Sequence, residues 1–255
     1  MTTKHNPRID WRLFGLLALG CLIGALGLLP YIITMLQQHA AELKMPLPTI
    51  AALSLIQPMV LCLVAAMLGL YLLPSTGLDL PYLKRLLGGA APRISFGKTL
   101  GQSALAGFVA GGVLVGLIAV TGYEDMMSAG AQQTPEPQWY AGLLASLYGS
   151  INEEVMLRLG LMTLVAFVAG RIRSTEQGLT TPVGMWVAIV LAALLFGAGH
   201  LPAAAAMTTL TPLLVTLIIV FNSIGGVIFG WLFWKRGLEA AMIAHFCADI
   251  VLHVL

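Results

Sequence analysis

Long apolar runs broken by Pro, Gly and charge dominate this chain, and most reach or approach the ~20 residues that cross a bilayer as a helix. They predict seven spans, over roughly 12–36, 49–73, 99–121, 139–170, 182–206, 210–234 and 238–255. The first run follows Lys4, Arg8 and Arg12 but is too long for a signal peptide and has no clear small-x-small cleavage site, so it reads as a membrane helix. The segment 201–209 is so short and apolar that spans five and six also read as one bent unit. The segment 74–98 mixes Leu and Tyr with basic residues, which suits either a surface-lying stretch or a plain basic loop.

Composition sharpens this picture. Hydrophobic residues make up 58% of the 255 and charged residues 9%, against about 25% charged in a soluble domain. The expectation is therefore an all-α polytopic bundle forming one integral membrane domain over 1–255, with the bilayer as its environment. A formal charge of +2, no long basic run and no glycine-rich phosphate loop argue against a nucleic-acid partner. Cys21, Cys62 and Cys247 all lie in apolar runs without metal-type spacing and read as small apolar residues.

Charge placement predicts topology. Seven spans put Lys4, Arg8, Arg12, Lys84, Arg85, Arg93, Lys98, Arg171, Arg173, Lys235 and Arg236 on one side. The other side holds Lys44 with Glu42, Glu124, Asp125 and Glu136. By the positive-inside rule the N-terminus is cytoplasmic and the C-terminus outward, in a bacterial-type inner membrane. Glycines at 107, 111 and 112, and at 225, 226 and 230, predict faces of close helix packing.

The candidate chemistry lies in polar residues inside the spans, where a charge costs ~2.5–3.5 kcal/mol unless it faces protein or water. Span four carries S-I-N-E-E-V-M-L-R-L-G at 150–160, span five His200, span six Asn222 and Ser223, and span seven His245 and Asp249. Glu154 and Arg158, four apart, share a helix face and can pair; Glu153 is turned by about 100° and has no local partner. One glutamate is thus held and the other is free to work. His245 and Asp249 share a face, as do Phe196 and His200. A free glutamate with two histidines suits water activation, with the histidines polarising a carbonyl, binding an oxyanion or ligating Zn. Taken singly, each feature fits a packing role equally well. Asn222 and Ser223 read as interhelical hydrogen bonders, and His5, His39 and His253 as non-catalytic.

Together these residues resemble the CAAX-protease and bacteriocin-processing (Abi) family of intramembrane endopeptidases, whose pattern is E-E-x-x-x-R, F-x-x-x-H and H-x-x-x-N or D on successive membrane helices. Here they read E-E-V-M-L-R at 153–158, F-G-A-G-H at 196–200 and H-F-C-A-D at 245–249, within catalytic core helices over 139–255. The resemblance implies a peptide or protein substrate. It makes Glu153 the base that activates water and His200 its partner, with His245 and Asp249 stabilising the oxyanion and Glu154 and Arg158 in support. Asp249 stands where Asn also occurs, and since an ionised Asp cannot donate to an oxyanion, either Asp249 is protonated in its apolar setting or it orients His245 or a metal. Cofactor use stays open between no metal and a Zn ion held by His200, His245 and Asp249. A proton-coupled transporter using the same residues as a relay, or an immunity protein retaining the fold, are the alternative functions. Counting 1.5 Å per residue from the basic edge places Glu153 and His200 about 24 Å deep but His245 only about 12 Å deep.

Overall fold

Helix starts follow local chemistry. In the computed structural model, which describes residues 9–43, 45–129 and 138–255 apart from the side chains of 36–43, every long element is a helix. Lys4, His5, Arg8, Lys44 and Glu136 lie outside the described residues, as do the side chains of His39 and Glu42. Helix α1 runs Trp11–Leu43 and begins where the Asp10 carboxylate accepts the Arg12 and Leu13 amides at 3.0 and 3.1 Å. Helix α2, Leu47–Leu72, passes through a 3₁₀ turn at Leu73–Ser75 to the short α3, Pro81–Leu86. Ser95 caps α4, Phe96–Thr121, by accepting from the Lys98 amide, and Gly122 in the left-handed region (φ 66°) turns the chain into α5, Tyr123–Ser128.

The fourth span is one continuous helical rod made of three pieces: α6, Trp139–Tyr148, a π-helix over Gly149–Met162, and α7, Thr163–Ile172. Helix α8, Pro182–Gly199, and helix α10, Pro212–Arg236, each start with a Thr cap followed by Pro, the residue that gives up no needed amide at a first turn. Between them α9, Leu201–Met207, breaks from α8 at His200, where Pro202 cannot donate to the preceding turn. The non-helical Thr208–Thr211 then separates spans five and six, so the bent-unit alternative does not form. Helix α11 is Leu238–His253.

Among the described residues, six helices are long and apolar enough to cross a membrane: Trp11–Met35, Leu47–Ser75, Phe96–Thr121, Trp139–Ile172, Pro182–Met207 and Pro212–Arg236. The seventh predicted span forms as the 16-residue α11, about 24 Å long at 1.5 Å per residue. Its start is tied to the segment before α4. Gly237, at φ 104°, turns α10 tightly into α11, packed against Pro81. The Leu238 amide donates to the Asp79 carbonyl at 3.2 Å, and the Glu239 carboxylate accepts the Tyr82 and Leu83 amides at 2.9 and 2.7 Å. Helix α11 therefore begins against the 76–86 segment, and it brings His245 alongside Glu153 and Glu154 despite the difference that residue counting predicts. Within the 74–98 segment the short α3 covers the start of α11.

Two of the three α4 glycines expected at close packing faces, Gly107 and Gly111, behave as packing contacts. A Cβ on Gly107 would meet the Ala244 carbonyl oxygen, and one on Gly111 would lie 2.8 Å from Val251 and 3.0 Å from the Ala248 carbonyl, so α4 and α11 touch backbone to backbone. Gly112 faces open space and does not share this role. On α10, Gly226 abuts Ala193 of α8 at 2.8 Å and Gly230 meets Ile189 at 3.2 Å, while Ser223 donates to the Ala193 carbonyl at 3.1 Å. Gly107→Val should lower the thermal unfolding midpoint in detergent, at an overpacking cost of about 1–3 kcal/mol. Gly112→Val should leave it unchanged, and equal midpoints for the two variants would contradict this packing.

Candidate active site

The site is built around a backbone that departs from the α-helix. Residues Gly149–Met162 run as a π-helix, a form rare outside single-turn bulges and frequent at functional sites, so the 100° turn expected between Glu153 and Glu154 does not strictly apply. The two glutamates still diverge. The Glu154 side chain is 0% exposed, with Oε2 3.3 Å from Arg158 Nε, while that of Glu153 is 20% exposed and lines a cavity. Arg158 approaches Glu154 as an ion pair without hydrogen-bond alignment, and its guanidinium lies over the rings of Phe196 and Phe229 at 5.2 and 5.8 Å.

Helix α11 brings its motif onto this segment. His245 places Nδ1 2.9 Å from Glu154 Oε1, and its ring stacks on Phe229 with centroids 4.6 Å apart. Its Nε2 lies 3.6 Å from Asp249 Oδ1 and 3.8 Å from Glu153 Oε2, close enough for charge interaction but beyond a hydrogen bond. Glu154 thus engages both Arg158 and His245, a second role that local spacing did not predict. The approach needs a glycine: a Cβ on Gly149 would meet Asp249 Oδ2 and sit 3.3 Å from His245 Nε2.

His200 ends α8 with Nδ1 2.9 Å from the Phe196 carbonyl, which accepts from it, and its ring packs edge-on to Phe196 at 4.7 Å. With Nδ1 carrying the proton, Nε2 is left as an acceptor. Glu153, His200, His245 and Asp249 line one cavity of about 300 Å³, together with Asn222 and Tyr123 and walls from Leu114, Phe221 and Phe229. Asn222 belongs to this cavity as well as to its helix, where its amide donates to the Ile218 carbonyl at 2.8 Å. Sequence reasoning assigned it to helix packing. Its four-residue offset from Ile218 carried no signal of the cavity, and neither did Gly149.

Residues 135–251 match the family model described as type II CAAX prenyl endopeptidase, Rce1-like. The match covers 117 of the 255 residues, all in the second half of the chain. The matched segment contains all three motifs and every residue of the cluster around His245. No curated protein and no solved structure matches the chain. A zinc set of His200, His245 and Asp249 is not assembled in this geometry: among the described residues no three His, Cys, Asp or Glu side chains converge as ligands.

Because Glu154 and Arg158 are buried partners, removing either strands the other. Glu154→Ala and Arg158→Ala should each cost about 3–5 kcal/mol, whereas Glu153→Gln should unfold close to wild type. Thermal unfolding in detergent checks this ranking, and the reverse order would show that the division between the two glutamates is wrong.

Proposed function

We propose that the chain is an intramembrane endopeptidase that hydrolyses peptide bonds of membrane-associated or tail peptides with a glutamate-activated water. The observation that carries this reading is the split between adjacent carboxylates, one buried against Arg158 and His245 and one reaching a cavity that also holds the imidazole of His200. The Rce1-like match supports the reaction class.

In this mechanism a water in the cavity gives a proton to the Glu153 carboxylate while His200 Nε2 accepts its other hydrogen as a hydrogen bond. The oxygen attacks the scissile carbonyl carbon, and the carbonyl π electrons move onto oxygen. His245 and the Asn222 amide line the space where that oxyanion forms. Asn222 has a second amide hydrogen beyond the one given to Ile218, so it supplies the neutral donor that an ionised Asp249 cannot. Asp249 then orients the His245 ring from 3.6 Å. Collapse of the intermediate breaks the C–N bond, and the proton held by Glu153 passes to the leaving nitrogen. No step is routed through a metal.

The test is cleavage of a fluorogenic peptide library, prenylated tails included, by purified protein in detergent. Glu153→Gln should lose about 10²–10⁴-fold in kcat, the range for a general base. Asn222→Leu should lower kcat with little change in KM. Activity equal in wild type and Glu153→Gln, or transport that depends on Glu153 with no hydrolysis of any peptide, would overturn the reading.

A further inference from the structure

The cavity occupies one half of the bundle, and the basic residues occupy the opposite end. Helix α4 runs from the basic end, at Lys98, and contributes Leu114 and Ile118 from its far half. Helix α8 contributes Phe196 in its last turn and is followed at once by His200, and α11 contributes Leu252 and His253 at its last turn. Helix α10 runs the other way and contributes Asn222, whereas Lys235 and Arg236 lie at its end, about 20 Å further along at 1.5 Å per residue. Antiparallel helices therefore agree that the cavity runs from mid-bundle toward the weakly charged face.

That face has a built rim. Tyr123 of α5 lines the cavity, and α5 packs against α9 and the start of α10 in a separate apolar cluster around Ala204, Leu214 and Ile218. The Thr208 hydroxyl donates to the Met126 carbonyl at 3.4 Å across the same contact. Glu124 and Asp125 are exposed on α5. At the opposite end Arg93 and Lys98 are exposed, and a second cavity there, lined by Lys84, Arg93, Lys235 and Arg236, shares no lining residue with the first.

We propose that the site is reached from the extracytoplasmic side of its membrane, so that the substrate is a peptide segment presented at the outer face and not a cytoplasmic tail. Basic loops are retained on the cytoplasmic side during insertion, which fixes the basic end inward and turns the rim of α5 and α9 outward. A hydrophilic peptide held in the cytoplasm would have to cross the α3-covered, closely packed half of the bundle to meet Glu153. A segment at the outer face meets the cavity directly. This narrows the substrate class of the hydrolytic reading and rests on that reading for the word substrate, but the sidedness itself does not depend on catalysis.

Three variants that each add one cysteine to the native Cys21, Cys62 and Cys247 test it in intact cells with a membrane-impermeant maleimide, using the unsubstituted chain as the background control: Glu124→Cys on the rim, Leu252→Cys in the cavity and Arg93→Cys at the basic end. Glu124→Cys and Leu252→Cys should label in intact cells, and Arg93→Cys only after permeabilisation. Labelling of Arg93→Cys with protection of Glu124→Cys would overturn the orientation. Labelling of Glu124→Cys with protection of Leu252→Cys, persisting in a second cavity variant, Ile118→Cys, would overturn the route. Failure of the hydrolytic reading shows separately, as absence of Glu153-dependent cleavage in detergent, where sidedness is abolished.

Discussion

The buried Glu154 carboxylate is the point on which the site depends. A charge at this depth is tolerated only when opposite charge and hydrogen bonding surround it, and Glu154 has Arg158 at 3.3 Å on one oxygen and His245 Nδ1 at 2.9 Å on the other. The first contact is local to the π-helix. The second reaches 91 residues along the chain to α11. Arg158 in turn lies over Phe196 of α8 and Phe229 of α10, so one desolvated ion pair gathers side chains from four segments. Each of these helices also delivers a residue to the cavity, which makes the pair the common reference for their positions.

The neighbouring glutamate acquires its freedom from the same arrangement. With Glu154 engaged by Arg158 and His245, Glu153 keeps its carboxylate at the cavity surface, 3.8 Å from His245 Nε2 and without a hydrogen bond to it. Small residues make the approach possible. Gly149 lets the His245–Asp249 turn of α11 lie against the π-helix, and Gly107 and Gly111 let α4 close over the other side of α11. Packing without side chains on these faces brings polar atoms together at a depth where loops could not carry them.

Much of this was legible from residue order, because the strongest signals were local. Apolar run length located the spans, and the i, i+4 offsets of Glu154 with Arg158 and of His245 with Asp249 identified pairs that do approach one another. Tertiary relations were not legible. Nothing in the order of residues specifies a π-helix at 149–162, and the Glu154–His245 bond joins segments whose relative depth depends on how α11 starts. That start is set by Gly237 and by Glu239 receiving two amides from α3, a contact across 156 and 157 residues. Asn222 and Gly149 were missed for a related reason, since one looks like a helix-packing amide and the other like any small residue in an apolar run.

The replacement of an amide by Asp249 acquires meaning in this setting. An Asn at that position could donate to a developing oxyanion directly, whereas Asp249 adds a third carboxylate around one imidazole, with Glu154 and Glu153. That concentration of acceptors holds the His245 ring in place and favours N–H groups directed at carboxylates. In the proposed hydrolysis it would also leave the oxyanion short of a neutral donor. Asn222, on a helix that carries none of the three motifs, stands in the same cavity with one amide hydrogen uncommitted. In the proposed hydrolysis, a donor supplied by α10 and an orienting acid supplied by α11 would divide between two helices what a single amide on α11 could do, an arrangement that rests on Gly226 and Gly230 keeping α10 close to α8 while its Phe229 stacks on His245.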